Sequence, residues 1–285
     1  MTNIIIATRS SRLAMVQTQI IKDSIESQGV GVTVEKVQTK GDKDRKSPIN
    51  EIGGRGLFVR DIEEYLIDDR ADIAVHSGKD LPYTLASGLI VAGIPKAAAG
   101  EDCLIYRKDI TLENGILIGT GSPRRIAECK KFFPNAKYES IRGNVDTRLE
   151  KLKKGQYDAI ILAKAGLDRM NVDLSEFNVK VFDTSEFIPS ACQGIIAAEC
   201  RENDSEIVEL LHSISDDISA KRFEAERYMF SLMQADCSVP LGVHSKIDGE
   251  NIEISAMYCG KRSVKSGAFE NYKLLCREIK DEIYG

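Results

Sequence analysis

Short runs of β-branched residues alternate with longer amphipathic stretches along the first two-thirds of the chain. The runs predict strands at 4–6, 32–37, 72–75, 116–118 and 159–162, and apolar positions at helical spacing predict helices at 13–27, 58–67, 124–133 and 144–153. Strands that alternate with helices in this way indicate an α/β fold with mainly parallel sheets.

Two segments of this pattern resemble each other. Residues 4–12 align with residues 116–124, and both run from a strand through Thr8 or Thr120 to a helix-capping Ser and an Arg in the first turn. A weaker echo pairs residues 71–75 with residues 157–161. The similarity is either the general likeness of strand-to-helix turns or the sign of two similar α/β lobes across a cleft. Two such lobes would bind ligands at the carboxyl ends of their strands.

The pattern changes near residue 214. A long helix is predicted at 218–233, and two alternating segments joined by an Asp248-Gly249 turn predict a β-hairpin at 245–258. The chain then closes with an amphipathic helix that carries one row of apolar residues, namely Phe269, Tyr272, Cys276, Ile279 and Ile283. This arrangement predicts a small α+β C-terminal domain.

Composition narrows the possible partners. The 285 residues carry a formal net charge of -5, whereas nucleic acids and membrane surfaces favour basic proteins. No apolar run approaches the roughly 18 residues that span a bilayer, and the first residues do not resemble a signal peptide. The seven cysteines include no CxxC pair and no Cys/His ligand spacing, so we expect neither disulfides nor a metal site. These features predict a cytoplasmic protein.

Arginines recur at the predicted strand-to-helix turns. Arg124 and Arg125 follow Ser122 and Pro123 in a first helical turn, where the helix dipole disfavours cations. Others stand in similar places, namely Arg9, Arg12, Arg142 and Arg148. Guanidinium groups beside exposed backbone amides make an anion site that suits carboxylates or phosphates. Solvated surface arginines are the alternative interpretation.

Two further segments carry reactive side chains. Asp80 beside Lys79 offers a carboxylate that holds a cation or transfers a proton, although an Asp before a Pro-containing turn more often only stabilises the turn. His76, at the end of the predicted strand, is either structural or catalytic. Cys237 lies among Ser, Pro and Gly residues that predict a loop, but no histidine is evidently paired with it. The remaining cysteines considered are predicted to be buried apolar residues, namely Cys103, Cys129, Cys200, Cys259 and Cys276.

Together these segments resemble the porphobilinogen deaminase family along nearly the whole chain. The resemblance is carried by nine segments. They are Ile-Ala-Thr-Arg-Ser at 6–10, Gly-Gly-Arg-Gly-Leu-Phe at 53–58, Asp-Ile-Ala-Val-His-Ser-Gly-Lys-Asp-Leu-Pro at 72–82, Gly-Thr-Gly-Ser-Pro-Arg-Arg at 119–125, Ile-Arg-Gly-Asn-Val-Asp-Thr-Arg-Leu at 141–149, Ile-Leu-Ala-Lys-Ala-Gly-Leu-Asp-Arg at 161–169, Pro-Ser-Ala-Cys-Gln-Gly at 189–194, Ala-Glu-Arg at 225–227 and the Cys237 loop. So many segments in the same order leave little room for chance.

The resemblance implies three domains. The first two resemble the α/β domain pair of periplasmic binding proteins and flank a cleft, with domain 1 at 1–95 and 195–213 and domain 2 at 96–194. The α+β domain at 214–285 carries the Cys237 loop. A dipyrromethane cofactor, made from two substrate units, is joined to Cys237 by a thioether and primes the reaction. Four porphobilinogen molecules each lose ammonia and are added in turn, and hydrolysis releases the linear tetrapyrrole hydroxymethylbilane.

The resemblance also implies roles for individual residues. Asp80 matches the catalytic carboxylate. The carboxylate side chains of the pyrroles are expected to meet six arginines, namely Arg9, Arg124, Arg125, Arg142, Arg148 and Arg169. Further contacts to cofactor or substrate are expected from Ser77, Lys79, Thr120, Ser122, Gly143 and Gln193. The chain departs from the common family pattern at Arg12, Arg55, Gly78, Gly121, Pro123 and Cys192. None of these departures removes an expected catalytic group.

Two other functions are alternatives to a porphobilinogen deaminase. A non-catalytic, two-lobed anion-binding module would explain the repeats and the arginines but not the Cys237 loop. A cysteine hydrolase would require a histidine partner for Cys237. We therefore expect an enzyme that acts on a small molecule, porphobilinogen, as a cytoplasmic monomer without nucleic-acid or membrane partners.

Overall fold

The computed structural model describes residues 3–39, 59–113, 115–234 and 239–284. The chain divides into two compact units. Unit 1 comprises Met1–Ala98 and Ile195–Glu224, and unit 2 comprises Ala99–Gly194 and Ala225–Gly285. The division into three domains stays a prediction from the sequence.

The described residues form strands and helices in the alternation that the sequence predicts. The strands are β1 Asn3–Arg9, β2 Gly31–Val37, β3 Ile73–Ser77, β4 Leu89–Gly93, β5 Asp102–Arg107, β6 Leu117–Gly119, β7 Lys137–Glu139, β8 Ala159–Ala163, β9 Phe177–Val181, β10 Ile196–Arg201, β11 Leu241–Asp248, β12 Asn251–Tyr258 and β13 Lys261–Ala268. The α-helices are α1 Arg12–Glu26, α2 Arg60–Ile67, α3 Pro123–Cys129, α4 Val145–Lys153, α5 Lys164–Arg169, α6 Ser205–Ser213, α7 Asp217–Met233 and α8 Tyr272–Tyr284. The predicted α/β class is confirmed.

Each unit contains a five-stranded mixed sheet, and the two sheets have equivalent topology. The strand order is β2-β1-β3-β10-β4 in unit 1 and β7-β6-β8-β5-β9 in unit 2. The first three strands of each order are parallel, whereas β10 and β5 run antiparallel to their neighbours. Four of the five strands in each sheet therefore run in one direction, in agreement with the expectation of mainly parallel sheets. The one opposing strand in each sheet was not predicted, because local strand–helix–strand rhythm does not reveal the direction in which a strand joins the sheet.

A matched aspartate shows how closely the two sheets correspond. In unit 1 the backbone N–H of Ile5 donates to Asp72 Oδ2 at 2.8 Å, and the backbone N–H of Asp72 donates to the Ile5 carbonyl at 2.9 Å. In unit 2 Leu117 and Asp158 form the same two bonds at 2.8 and 2.9 Å. The sequence similarity between these segments thus reflects two similar α/β sheets.

The helices that follow β1 and β6 differ by one residue from the predicted alignment. Ser122 caps α3 as predicted, its side chain accepting from the Arg125 N–H. Helix α1 is instead capped by Ser11, which accepts from the Ala14 N–H, rather than by Ser10. Arg12 is consequently the first residue of its helix and is exposed, so it does not occupy the place of Arg124.

The C-terminal part of unit 2 is a three-stranded antiparallel sheet with helix α8 against it. The predicted hairpin corresponds to β11 and β12, which pair from Leu241 and Tyr258 to the turn at Asp248. The sequence did not predict β13, whose polar residues alternate with few apolar ones, although it pairs with β12 along its whole length. The apolar row of α8 packs into this core as predicted, except that Phe269 lies before the helix in a 3₁₀ turn.

The cysteine predictions held with one exception. Cys103, Cys129, Cys200 and Cys276 are buried, and burial raises the pKa of the Cys129 thiol to about 12. Cys259 is exposed, because it lies in the turn between β12 and β13 with φ 49°. The prediction that it is buried was wrong, since its neighbours in sequence are apolar but the hairpin places it at a tip.

Cys192 adopts a backbone conformation that normally favours glycine. It is buried and has φ 59°. Its backbone N–H donates to Glu226 Oε2 at 2.6 Å. A side chain in the left-handed region places its Cβ close to the following carbonyl oxygen and costs roughly 1–2 kcal/mol. The departure of Cys192 from the family pattern therefore carries a backbone penalty.

We expect the Cys192→Gly variant to be more stable than Cys192→Ala by about 1 kcal/mol, because glycine adopts positive φ without a Cβ penalty. Both substitutions remove the buried thiol, so their difference isolates the backbone contribution. Urea denaturation of the two variants measures the free energy of unfolding. An alanine variant as stable as the glycine variant would show that the turn is unstrained.

Candidate active site

In unit 1, the carboxyl ends of two parallel strands line one pocket. Strand β1 ends at Arg9 and strand β3 ends at Ser77, and both residues line the pocket together with Asp80. Parallel strands end at the same edge of a sheet, which is where α/β proteins bind ligands. The structure thus brings together three of the residues that the sequence singled out.

Asp80 is exposed at this pocket. It closes the 3₁₀ turn Gly78–Asp80, which follows β3 directly, and the half-buried Lys79 precedes it in the same turn. The pocket also contains Gln17, which sequence reasoning missed. Its Nε2 donates to Ser77 Oγ at 2.9 Å. Gln17 is a polar residue on the buried face of α1. A polar residue at a position where the amphipathic pattern favours an apolar one was the feature of the sequence that indicated a role for it.

His76 forms the inner wall of the pocket and bonds to a buried carboxylate. Its Nε2 lies 3.0 Å from Glu199 Oε2, and both side chains are buried. Glu63 lies in the same polar cluster, and burial together with the negative charge of Glu199 raises its pKa. The hydrogen bond and the burial agree with the structural interpretation of His76, and the choice between that role and a catalytic one stays a prediction.

In unit 2, Arg124 and Arg125 share one fully buried carboxylate. Asp102 accepts from Arg124 Nη2 at 2.8 Å through Oδ2, and from Arg125 Nη2 at 2.7 Å through Oδ1. The Nε of Arg125 also donates to Oδ1 at 3.0 Å. Burial lowers the pKa of Arg124, and the charge of Asp102 opposes that effect. These arginines belong to a buried ion cluster, and their predicted role as cofactor ligands stays a prediction.

The same two guanidinium groups also bind backbone carbonyls. Arg124 Nη1 donates to the Ile188 carbonyl at 2.8 Å, and its Nε donates to Ser190 Oγ at 3.1 Å. Arg125 Nη1 donates to the Ile161 carbonyl at 2.8 Å. The cluster therefore joins the start of α3 to the middle of β8 and to the segment at 188–190.

Among the arginines predicted to bind the cofactor, Arg142 and Arg169 are two whose charges remain unpaired within the described part of the chain. Both are half-buried, and among the described residues neither forms an ion pair with a carboxylate. Arg169 Nη2 donates to the Gly194 carbonyl at 2.7 Å, and burial lowers its pKa to about 10. A partly desolvated guanidinium without an anion is suited to bind a carboxylate from outside the chain.

Of the remaining predicted binding residues of unit 2, Arg148 lies in helix α4 and the others lie in the loops and turns between elements. Arg148 Nε donates to the Gly143 carbonyl at 2.8 Å, and Gly143 has φ 107°. Thr120 is buried, and its Oγ1 accepts from the Ser122 N–H at 3.2 Å. Gln193 is also buried, and its Nε2 donates to the Gly100 carbonyl at 2.7 Å. Through these hydrogen bonds, Gln193 and Thr120 stabilise the local backbone.

Cys237 and Arg55 lie outside the described residues. The described elements that flank Cys237 in sequence are helix α7, which ends at Met233, and strand β11, which begins at Leu241. Within the described ranges, no group of three His, Cys, Asp or Glu side chains is placed to hold a metal ion. Those ranges also contain no helix both long enough and apolar enough to cross a membrane.

Comparison with known proteins gives matches along most of the chain. Residues 4–209 match the family model described as porphobilinogen deaminase, dipyromethane cofactor binding domain. Residues 220–272 match the porphobilinogen deaminase C-terminal domain. The expectation of a dipyrromethane cofactor is thereby confirmed.

Individual relatives agree with the family models. The chain is 41% identical over 253 residues to the porphobilinogen deaminase of Exiguobacterium sibiricum, covering 87% of this chain and 82% of that protein. It is 39% identical over 257 residues to the enzyme of Roseiflexus castenholzii, covering 88% and 84%. Among solved structures, it is similar to substrate binding domain 2 of Lactococcus lactis GlnP in an open conformation, with 9% identity, a TM-score of 0.47, and coverage of 80% of this chain and 94% of that one.

The family models, the relatives of 39% and 41% identity and the order of the motifs decide between an enzyme and a simple binding module. The chain belongs to the porphobilinogen deaminase family, and it is a transferase of tetrapyrrole biosynthesis that forms hydroxymethylbilane on a dipyrromethane cofactor.

Proposed function

We propose that Asp80 is the catalytic carboxylate of this transferase and that Cys237 is the attachment point of its cofactor. The observation that carries the proposal is the placement of Asp80, exposed at the carboxyl end of β3 in a pocket that Arg9 also lines. A carboxylate there stabilises positive charge that develops on a pyrrole nitrogen and accepts a proton from the reacting ring. Porphobilinogen is the proposed substrate.

The cationic side chains fit the cofactor that the family requires. Each pyrrole carries an acetate and a propionate, and guanidinium groups bind carboxylates with two parallel hydrogen bonds. Arg142 and Arg169, which form no ion pair among the described residues, are the donors that we assign to these acids first. When bound, the dipyrromethane supplies a pyrrole ring with a free α-carbon on which the chain of rings is extended.

Attachment of the cofactor requires only the thiol and the substrate. For each of two porphobilinogen molecules, a C–N bond breaks and the amine leaves as ammonia. The first methylene carbon forms a C–S bond with Cys237, and the second forms a C–C bond with the first ring. The thiol proton and the ring proton leave with the two ammonia molecules, so no oxidant or reductant is required.

We further propose that the protein is a cytoplasmic monomer with three domains, in which Ser77, Lys79, Thr120, Ser122, Gly143, Arg148 and Gln193 complete the binding site. The alternative, a non-catalytic anion-binding module, would bind polycarboxylates without gaining mass. Family membership and the Cys237 segment favour the enzyme. Covalent modification is therefore the property that separates the two functions most directly.

The intact mass of the purified protein should exceed the sequence mass by two porphobilinogens less two ammonias, because the cofactor is covalently attached. Cys237→Ala should lack this excess. Cys259→Ser, which removes the exposed thiol of the β12–β13 turn, is the matched control and should keep it. Wild-type protein that gains no mass even after incubation with porphobilinogen would contradict the attachment.

Asp80→Asn should lower kcat by about 10²- to 10⁴-fold, the usual contribution of a positioned acid or base. Asp80→Glu, which keeps the charge but moves it, should fall between this variant and the wild type. Steady-state kinetics must be measured on protein whose mass shows the attached cofactor, so that slow chemistry is separated from a missing cofactor. A kcat for Asp80→Asn within about threefold of wild type would exclude the catalytic role.

Arg142→Gln should mainly weaken substrate binding, whereas Arg124→Gln should mainly lower the stability of the fold. Arg142 forms no ion pair among the described residues, so its loss should raise KM by about 10- to 100-fold, equivalent to about 1.5–3 kcal/mol for a lost charged hydrogen bond, and leave stability nearly unchanged. Arg124→Gln leaves the buried Asp102 short of a partner and should lower the free energy of unfolding by about 3–5 kcal/mol. Urea denaturation and steady-state kinetics of both variants test this contrast. Equal loss of stability in the two would contradict it.

A further inference from the structure

A single buried carboxylate in unit 2 joins three segments of the chain. Glu226 of helix α7 is fully buried. Its Oε2 accepts from the Cys192 N–H at 2.6 Å, and its Oε1 accepts from the N–H and the hydroxyl of Ser245, each at 2.9 Å. His244 Nδ1 is 3.9 Å from Oε1. Burying a carboxylate is unfavourable unless hydrogen bonds compensate it, and these three donors provide that compensation.

Two of these segments are the stems on either side of Cys237. Glu226 lies about two turns before the end of α7 at Met233, and Ser245 lies in β11, which begins at Leu241. The residues between Met233 and Leu241 include Cys237. The hydrogen bonds that Ser245 donates to Glu226 therefore hold the two stems, helix α7 and strand β11, together.

The third segment is the stretch at 188–194, which also binds two of the predicted cofactor arginines. The Ile188 carbonyl and Ser190 Oγ accept from Arg124, and the Gly194 carbonyl accepts from Arg169. The same stretch pairs with β11 through the Val243 N–H, which donates to the Pro189 carbonyl at 2.8 Å. Gly242 packs against it so closely that a Cβ there would lie 2.7 Å from the Ile188 carbonyl oxygen.

We propose that Glu226 is a positioning residue for cofactor attachment. It fixes α7 and β11, the described elements that flank Cys237 in sequence, to the stretch that carries the arginine contacts, so that these three segments keep one arrangement before porphobilinogen arrives. This inference rests on the proposed attachment at Cys237. It assigns to Glu226 a function beyond folding, because the geometry of attachment depends on it.

The rate at which apo-protein acquires its cofactor tests this role without relying on catalytic turnover. Apo-protein made in cells that lack porphobilinogen is mixed with porphobilinogen, and the mass increment at Cys237 is followed with time. Glu226→Ala and the milder Glu226→Gln and Ser245→Ala should form the adduct more slowly. We expect about a tenfold or larger effect for Glu226→Ala, since misplacing reacting groups by about 1 Å can cost 10²-fold in rate.

The matched control is Ile105→Ala, which creates a cavity in a core cluster of unit 2 that contains no residue of α7, β11 or the stretch at 188–194. All variants are compared at equal distance below their own melting temperatures, measured by circular dichroism. Slow attachment in the Glu226 and Ser245 variants with a near wild-type rate in Ile105→Ala would support the positioning role. Equal rates in all destabilised variants would overturn it and leave Glu226 as a structural residue. Wild-type protein that gains no mass would overturn the attachment at Cys237 itself.

Discussion

The interior of unit 2 is organised by the ion cluster of Asp102, Arg124 and Arg125. Each of these charges is buried, and each would be costly without the others. Because both guanidinium groups continue to backbone carbonyls at Ile161 and Ile188, the cluster joins β5, β8, α3 and the stretch at 188–194 in one arrangement. That stretch in turn accepts a hydrogen bond from Arg169 at the Gly194 carbonyl and donates one to Glu226 from the Cys192 N–H. The cluster around Asp102 therefore helps to hold the stretch at 188–194, whose contacts the proposed cofactor attachment depends on.

The two five-stranded sheets show how one topology supports different chemistry. The aspartates Asp72 and Asp158 tie equivalent strands in the same way, so the backbone framework is repeated. The turns and helices that follow the equivalent strands are not repeated. In unit 1 the end of β3 leads to the exposed Asp80, and Gln17 of helix α1, which follows β1, donates to Ser77 Oγ. In unit 2 the helix after β6 instead turns two arginines inward to Asp102. The repeat therefore predicts the fold of each unit but not its function.

The differences between expectation and structure share a physical cause. A cation in the first turn of a helix is unfavourable locally, and the sequence suggested that an external anion compensates Arg124 and Arg125. The compensating anion found here is Asp102, which is more than twenty positions away and is recognisable only when the sheet is formed. Gln17, Glu199 and Glu226 were missed for a related reason. Each is a polar residue at a buried position, and its significance lies in its partner.

The sequence by itself determined the α/β rhythm, the family, the pairing of similar segments and the identity of Asp80 and Cys237 as the residues to examine. These properties follow from local periodicity and from short motifs, which do not depend on contacts between distant residues. Only the tertiary structure decided the antiparallel strands β5 and β10, the burial of two predicted binding arginines, and the unpaired charges of Arg142 and Arg169 among the described residues. Strand order and charge pairing depend on which segments meet in space, and a buried charge acquires its role from the group that neutralises it.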